Sequence, residues 1–167
     1  MGEKRFTLEE LKHSTNLAEK ARYKFVGCTY KVLCQELGEE KAQELMAKAY
    51  FAYGQLKHED AEIISGDIKH FCDVYAKGEH PYYPYSMTMP YEVDGDKGKI
   101  QWCVEGNCGG LDWFKEAGLT DKEVCDLCKK CAVYGDIGYA DKCGIKGYFT
   151  HTCADGSSEC EMILEKK

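Results

Sequence analysis

The chain has 167 residues, enough for one domain that buries its own hydrophobic core without covalent cross-links. Its formal net charge is -7 and its basic residues form no stripe, which argues against nucleic acid and membrane surfaces as partners. We expect one domain over residues 1–167, mainly helical over residues 1–80 and cysteine-rich, with sheet and helices, over residues 81–167. The expected partner is a small-molecule substrate or ligand, and a homodimer stays open.

The N-terminal residues are charged and contain no apolar segment of the kind found in a signal peptide. The chain also has no run of about 18 apolar residues, so we expect no transmembrane helix. We therefore expect a cytoplasmic protein, in which thiols stay reduced. The 11 cysteines, an odd number, then fit metal binding, catalysis or small core residues better than a disulfide framework.

The N-terminal half has the pattern of three helices. Thr7 and Glu10 form a capping box that starts the first helix at Leu8, and Gly38 ends it. Further helices are predicted over residues 39–56 and 67–76. Apolar residues recur at helical spacing along the first helix, at Leu17, Ala21, Phe25, Cys28, Val32 and Leu33. On the second helix the predicted inward residues are Leu45, Ala49, Ala52 and Tyr53.

The pattern changes after Pro81, where alternating apolar and polar residues predict strands. Residues 85–93 and 99–104 are the predicted strands, and the glycine-containing segment 94–98 is the turn between them. A short helix over residues 111–117 is predicted to follow.

The last third of the chain begins with a second capping box, formed by Thr120 and Glu123. It predicts a helix that ends near residue 134, because glycines follow at positions 135, 138 and 144. A final hairpin is predicted over residues 147–153 and 159–164. Helices first and antiparallel strands later indicate an α+β fold, with the helical N-terminal half packed on an antiparallel β-sheet formed by the C-terminal half.

The cysteines concentrate in the C-terminal half. The helix opened by Thr120 is predicted to turn Cys128 and Cys131 toward the core and to leave Cys125 at the edge of that face. The final hairpin is predicted to bring Cys153 close to Cys160. Eight of the 11 cysteines lie in this half, in four groups: Cys103 and Cys108; Cys125, Cys128 and Cys131; Cys143; Cys153 and Cys160.

Thiolates from a helix and a hairpin suit the tetrahedral sulfur and nitrogen shell that zinc prefers. The predicted metal ligands are Cys125, Cys128, Cys153 and Cys160. His151 lies two residues before Cys153, so it is predicted to share its strand face, as a ligand, a supporting group or an ordinary core histidine.

Two other interpretations of the cysteines stay open. The Cys125-x-x-Cys128-x-x-Cys131 spacing is similar to the start of an iron–sulfur motif, although the fourth cysteine followed by proline is missing. Cys103 and Cys108 form a second redox or metal pair, or simply a strand end and a turn. The scattered cysteines Cys28, Cys34 and Cys72 are predicted to be small core residues.

The run from Cys125 to Cys128, followed after about twenty residues by the segment 148–162, carries a family resemblance. It resembles the C-terminal half of the L-2-amino-thiazoline-4-carboxylic acid hydrolase-like family. The same layout is similar to the 4-vinyl reductase-type ligand-binding domain, whose sensory members hold zinc with a helix cysteine, a glutamate and two cysteines beside a hairpin turn. That resemblance implies Cys128 or Cys125, together with Cys153 and Cys160, as ligands, whereas Thr150 stands at the glutamate position.

The first resemblance implies hydrolysis of a cyclic amidine-like carbon, which opens a thiazoline ring. Such chemistry needs a water activated by a metal or a cysteine of low pKa, together with a proton donor. His151 is the candidate acid–base group, because it is the only histidine of the cysteine-rich half. The alternative functions are a non-catalytic ligand-binding or sensory domain with structural zinc, and an iron–sulfur or redox protein. Four aromatic residues are expected either to line an apolar ligand pocket or to be ordinary core residues: Trp102, Trp113, Tyr83 and Tyr85.

Overall fold

The computed structural model describes residues 7–56, 65–77, 89–103 and 108–167. Three helices come first: α1 (Leu8–Leu37), α2 (Glu39–Leu56) and α3 (Ile68–Lys77). The strands β1 (Tyr91–Asp94) and β2 (Lys97–Trp102) follow, then the helices α4 (Gly109–Glu116) and α5 (Asp121–Leu127), a π-helical turn (Cys128–Ala132) and α6 (Val133–Lys142). The chain ends with β3 (Ile145–His151), a 3-10 turn (Cys153–Asp155) and β4 (Cys160–Lys166), so the predicted α+β fold is confirmed.

The described strands form one antiparallel sheet in the order β1-β2-β4-β3. The pairing of β2 with β4 places Trp102 opposite Cys160, and the pairing of β3 with β4 places His151 opposite Glu161. The end of β2, the start of β4 and the end of β3 therefore meet at one end of the sheet. This end carries the candidate site.

Both predicted capping boxes are present. At α1 the Thr7 backbone N–H donates to Glu10 Oε2 at 2.8 Å, and the Glu10 N–H donates to Thr7 Oγ1 at 3.2 Å. Thr120 and Glu123 repeat this exchange at α5, with distances of 2.7 and 3.3 Å. Each box satisfies backbone donors that the first helical turn would otherwise leave unpaired.

The described residues form two hydrophobic cores. The first core lies between the sheet, α3 and α6, and the second lies between α1, α2, α4, α5 and the π-helical turn. The first contains Ile68, Phe71, Cys72, Tyr75, Ile100, Trp102, Tyr139, Ala140, Cys143, Ile145, Met162 and Leu164. The second contains Tyr30, Ala42, Met46, Phe114, Leu119, Val124, Leu127 and Cys131.

Glycines let the backbones of α2 and α6 touch. A Cβ atom added to Gly54 would lie 2.0 Å from the Gly135 carbonyl oxygen, and one added to Gly138 would lie 2.4 Å from the Phe51 carbonyl oxygen. The prediction that glycines 135 and 138 end the helix is therefore wrong. Helix α6 continues through both because each removes a side chain where the other helix approaches.

The predicted inward face of α2 is wrong for most of its residues, since Ala49, Ala52 and Tyr53 are exposed and Leu45 is half-buried. Helix α1 packs inward through Tyr30 and Gly27, on the side that faces α2 and α4, because the aromatic side chains of the second core lie there. The apolar residues whose spacing indicated α1 lie mostly on its other side: Leu17, Ala21, Phe25, Cys28 and Val32 are exposed, and Leu33 is half-buried.

The remaining boundaries shift by a few residues. The turn between β1 and β2 contains only Gly95 and Asp96, because Asp94 pairs with Lys97. Residues 85–88 of the first predicted strand lie outside the described part, as do Tyr83, Tyr85 and Val104. Within the described residues, no helix is both long and apolar enough to cross a membrane.

Candidate functional site

Four cysteines meet where β2 ends and β4 begins. Cys103 follows β2 directly, and Cys160 is the first residue of β4, opposite Trp102. Cys153 opens the 3-10 turn that leads back to β4, and Cys108 precedes the first residue of α4. The short 3-10 turn brings Cys153 to Cys160, whereas the pairing of β2 with β4 brings Cys103 there. We call these four residues the thiol network.

Hydrogen bonds join the members of the thiol network. The Cys153 backbone N–H donates to Cys160 Sγ at 3.2 Å. The shifted pKa values of these thiols indicate that Cys103 also interacts with Cys108 and with Cys160, and that the Cys153 thiol interacts with Cys160. The predicted closeness of Cys153 and Cys160 is thus present in the structure.

The same hydrogen bonds pull the thiol pKa values apart. Cys160 accepts from the Cys103 thiol and from Cys153, and its pKa falls to about 7 although burial opposes the shift. Cys108 also accepts from Cys103, which lowers its pKa. Donation to Cys108 and Cys160 raises the pKa of Cys103, whereas burial and the nearby Cys160 raise that of Cys153 to about 12. The network therefore contains two thiols that ionise readily and two that hold their protons.

The backbone at Cys103 is strained. Its φ of 57° makes it the only residue other than glycine with a positive φ in the described part of the chain. A side chain in this left-handed region costs on the order of 1 kcal/mol or more, and such residues cluster at functional sites. The strain indicates that the surrounding structure holds the Cys103 thiol in the network.

Cys128 borders the network from the π-helical turn. Burial raises its pKa well above the ordinary value, and the neighbouring thiols Cys108 and Cys160 add to the shift. Cys131 faces elsewhere, because its thiol donates to the Gln43 carbonyl of α2 at 3.6 Å. The π-helical turn explains this separation, since the Val133 N–H reaches back five residues to Cys128 and the extra residue rotates the later side chains.

Of the four cysteines predicted as metal ligands, the structure thus brings Cys153 and Cys160 together with Cys128 beside them. Cys125 neighbours Cys128 and is half-buried, one turn before it on α5.

The His151 ring bonds to polar side chains rather than to thiols. Its Nε2 atom lies 3.1 Å from Glu159 Oε1, and its Nδ1 atom lies 3.1 Å from Thr150 Oγ1. Thr150 in turn donates to Glu161 Oε1 at 2.8 Å. Glu161 alternates along β4 with the buried Met162, so this chain of polar groups lies on the face of the sheet away from the first core.

A carboxylate and an aromatic group also border the network. The Tyr75 hydroxyl donates a hydrogen bond to Asp136 Oδ1 of α6, and the Asp136 charge acts on Cys160, where it opposes ionisation. Tyr75 meets Trp102 edge-on at 5.8 Å between ring centres. The second tryptophan, Trp113, packs instead on Tyr23 of α1, so the two do not form one pocket wall.

The donor set suits a soft cation, since thiolate sulfur is the ligand that zinc and iron–sulfur clusters prefer. Within the described residues, no three cysteine, histidine, aspartate or glutamate side chains already converge as a metal-holding group.

Cys103, Cys108 and Asp136 were not predicted as the centre of the site. The signal for the cysteines was their spacing around two glycines, Gly109 and Gly110, which does not distinguish a site from a turn. Asp136 had no signal, because a lone acidic residue in a predicted glycine break is typical of a loop. Of the cysteines predicted to be small core residues, Cys72 is buried, Cys34 is half-buried and Cys28 is exposed. The predicted core position is therefore wrong for Cys28.

No family model, curated protein or solved structure matches this chain. The resemblance to the hydrolase-like family rests on the quoted residues alone.

Proposed function

We propose that this chain is a zinc-binding protein and that the thiol network is its metal site. The observation that carries the proposal is the convergence of Cys103, Cys108, Cys153 and Cys160 at the end of β2 and the start of β4, where the Cys153 backbone N–H donates to Cys160 Sγ at 3.2 Å and the thiols shift one another's pKa values. A tetrahedron of sulfurs at about 2.3 Å from zinc has edges of about 3.8 Å, which is close to the separation of hydrogen-bonded thiols. An iron–sulfur cluster would hold its cysteines further apart, because iron and sulfide lie between them.

Ligand ionisation supports the same proposal. The pKa of Cys160 is lowered to about 7, so it supplies one thiolate at little cost near neutral pH, and the pKa of Cys108 is also lowered by hydrogen bonding from Cys103. Cys103 and Cys153 hold their protons and would release them on binding. Zinc affinity should therefore rise with pH, as expected when a cation displaces thiol protons. A closed shell of four thiolates is typical of structural zinc, which favours a ligand-binding or sensory domain over a metal-dependent enzyme.

The test compares zinc content in two double variants. Wild type and Cys153→Ser/Cys160→Ser are purified under reducing conditions with equimolar zinc, and elemental mass spectrometry counts the metal that survives gel filtration. The control is Cys28→Ser/Cys34→Ser, which removes two thiols outside the network. We expect about one zinc per chain in wild type and control and none in the network variant. Equal retention in all three proteins, or visible absorption from an iron–sulfur cluster, would contradict the zinc site.

A second candidate function is hydrolysis of a thiazoline-type ring, as the family resemblance implies. The observation that favours it is the ready ionisation of Cys160 beside Asp136. The Cys160 thiolate would add to the carbon of the C=N–S unit while the ring nitrogen takes a proton. The ring C–S bond would then break, and the ring sulfur would leave as a thiolate that takes a proton. Water would add to the same carbon and displace the Cys160 thiolate, which leaves a carbamoyl group on the former ring nitrogen. Asp136 acts on Cys160 directly, so it is the proton carrier that we assign to this reaction. His151 would donate a proton only to a ligand that also reaches the polar face near Glu159.

Ring opening is measured with 2-amino-thiazoline-4-carboxylate on zinc-free protein and on zinc-loaded protein. We expect Cys160→Ala to abolish turnover, and His151→Ala to retain it if Asp136 carries the proton. Turnover in the Cys160→Ala variant would exclude the thiolate nucleophile. If wild type neither opens the ring nor loses bound zinc, the non-catalytic function stands.

A further inference from the structure

Helix α1 is apolar on two sides, and only one of them packs within the chain. The inward side contributes Tyr30 to the second core, with Tyr23, Val26 and Leu33 packed against it. On the other side Phe25 is 73% exposed and Val32 is 55% exposed. A helix that is apolar all round is normally buried all round. Among residues 7–56, 65–77, 89–103 and 108–167, nothing covers the outward side.

The outward residues have a regular spacing. Ala18, Ala21, Phe25, Cys28 and Val32 are separated by three, four, three and four positions, and all are exposed. Alternation of three and four is the spacing by which one helix packs against another along a common seam. We call these five residues the α1 seam.

We propose that the α1 seam is a dimer interface, on which α1 of a second copy of this chain packs in the antiparallel direction. The symmetry axis passes between residues 26 and 27, so Phe25 lies on Cys28 of the partner subunit and Val32 lies on Ala21 of the partner subunit. Each large side chain then meets a small one. A parallel pair would instead stack Phe25 on itself and leave the small residues facing each other.

Charge favours the same direction. Within α1, residues 16–26 carry three cationic side chains (Lys20, Arg22 and Lys24) and one carboxylate (Glu19), whereas residues 27–37 carry only Lys31 and Glu36. An antiparallel pair places the positive half of one copy beside the neutral half of the other. A parallel pair would place the two positive halves together, at a cost in Coulomb energy.

The area is sufficient for a dimer of moderate affinity. The exposed apolar surface of the seam and the flanking Leu17 is roughly 500 Å² per chain, to which a side chain such as Phe25 contributes about 150 Å². Two copies thus bury about 1,000 Å² before the polar margin is counted, which is the lower end of specific interfaces. We expect dimers at micromolar concentrations, with no contribution from the thiol network.

The test is the molar mass of the full chain in solution. Sedimentation equilibrium and light scattering are recorded across about 1 to 100 µM for wild type and Phe25→Glu, with Leu56→Glu as control. Leu56 is 62% exposed on α2, away from the seam, so its substitution adds the same charge to an equally open site. We expect a concentration-dependent dimer for wild type and control, and a folded monomer for Phe25→Glu, with unchanged circular dichroism.

A monomeric wild type over the whole range, or a Phe25→Glu variant that still dimerises, would overturn the proposal. Direction is tested by treating the dimer with a thiol oxidant and mapping the disulfides by mass spectrometry. The antiparallel pair keeps the two Cys28 thiols in different layers, so no Cys28 cross-link should join the subunits. A dominant Cys28–Cys28 cross-link would show a parallel pair and overturn the antiparallel arrangement.

Discussion

The cysteines of the thiol network and those of the hydrophobic cores differ in how their protons are held. In the cores, burial alone is the main influence, and it raises the pKa to about 12 at Cys72 and Cys131 and to about 11 at Cys143. In the network, hydrogen bonds between thiols lower one pKa to about 7, at Cys160, and burial raises another to about 12, at Cys153. Burial makes a cysteine inert, whereas a second thiol at hydrogen-bonding distance can make it reactive.

The largest expected difference is in alkylation of the metal-free protein. The thiolate fraction at pH 7 differs by about 10⁴-fold between pKa values of 7 and 11, and lower intrinsic nucleophilicity of the more acidic thiol reduces this to roughly 100-fold. We therefore expect iodoacetamide to modify Cys160 at least about 100 times faster than Cys143 at pH 7. The Cys160 rate should rise with a midpoint near pH 7, as measured by peptide mass spectrometry. Equal rates at the two residues would remove the distinction between the two groups.

A core cysteine should matter more for stability than a network cysteine. Cys131 is fully buried and donates to the Gln43 carbonyl. Replacement by Ser buries a more polar hydroxyl, so Cys131→Ser should lower the free energy of unfolding by about 2 kcal/mol. Urea unfolding of the zinc-free protein measures this free energy. The matched variant is Cys160→Ser, for which we expect the free energy of unfolding to fall by less than about 1 kcal/mol. The reverse order would mean that the network, rather than the core, stabilises the metal-free fold.

The network depends on one donor. Hydrogen bonding from Cys103 is the main cause of the lowered Cys160 pKa. Cys103→Gly removes the thiol while keeping a residue that tolerates the positive φ at this position. We expect the alkylation midpoint of Cys160 to move upward, and its rate at pH 7 to fall by about 10-fold. Cys72→Ala, in the first core, should leave that midpoint unchanged, and an unchanged midpoint in Cys103→Gly would assign the shift to Cys153 instead.

The smallest effect is expected at the surface link between the two turns that flank the site. Lys129 of the π-helical turn pairs with Asp155 of the 3-10 turn at 3.4 Å, and the Lys129 side chain is 46% exposed. Exposed pairs of this kind contribute little, so Lys129→Ala should change the unfolding free energy by less than about 1 kcal/mol. Thermal melting measures the change in stability of Lys129→Ala. The control is Lys69→Ala, which removes a comparable exposed ion pair with Asp73 on α3. A larger loss would show that the two turns are coupled through this pair.

The features that the sequence predicted correctly depend on neighbours in the chain. The capping boxes at Thr7 and Thr120 use residues three positions apart, and the contact between Cys153 and Cys160 follows from a short connection. Helix order and strand alternation likewise indicated the α+β class. All of these features depend on residues that are close in the sequence, so they can be predicted without knowledge of the tertiary packing.

The features that were mispredicted depend on distant partners. The outward face of α1 has the same helical spacing as an inward face, so periodicity alone could not show which side meets Phe114 and Leu119. Gly135 and Gly138 have the composition of a loop, but α2 approaches them closely enough to exclude a side chain. Cys103 and Cys108 join the site because β2 pairs with β4, a register that composition does not encode.

The π-helical turn at Cys128–Ala132 has a consequence for how this protein tolerates changes in length. Such a turn arises when a helix accommodates one more residue than an α-helix needs. Loss of Lys130, an exposed residue in the middle of the turn, would return the segment to ordinary α-helical winding. Because the turn takes up the extra residue, this loss would leave α6 close to its present alignment with α5, with Asp136 still near Cys160 and Gly138 still against Phe51. The same loss within the regular winding of α6 would rotate the following residues by about 100°. The π-helical turn is therefore a place where the chain can lose one residue without moving α6 away from the thiols or from helix α2.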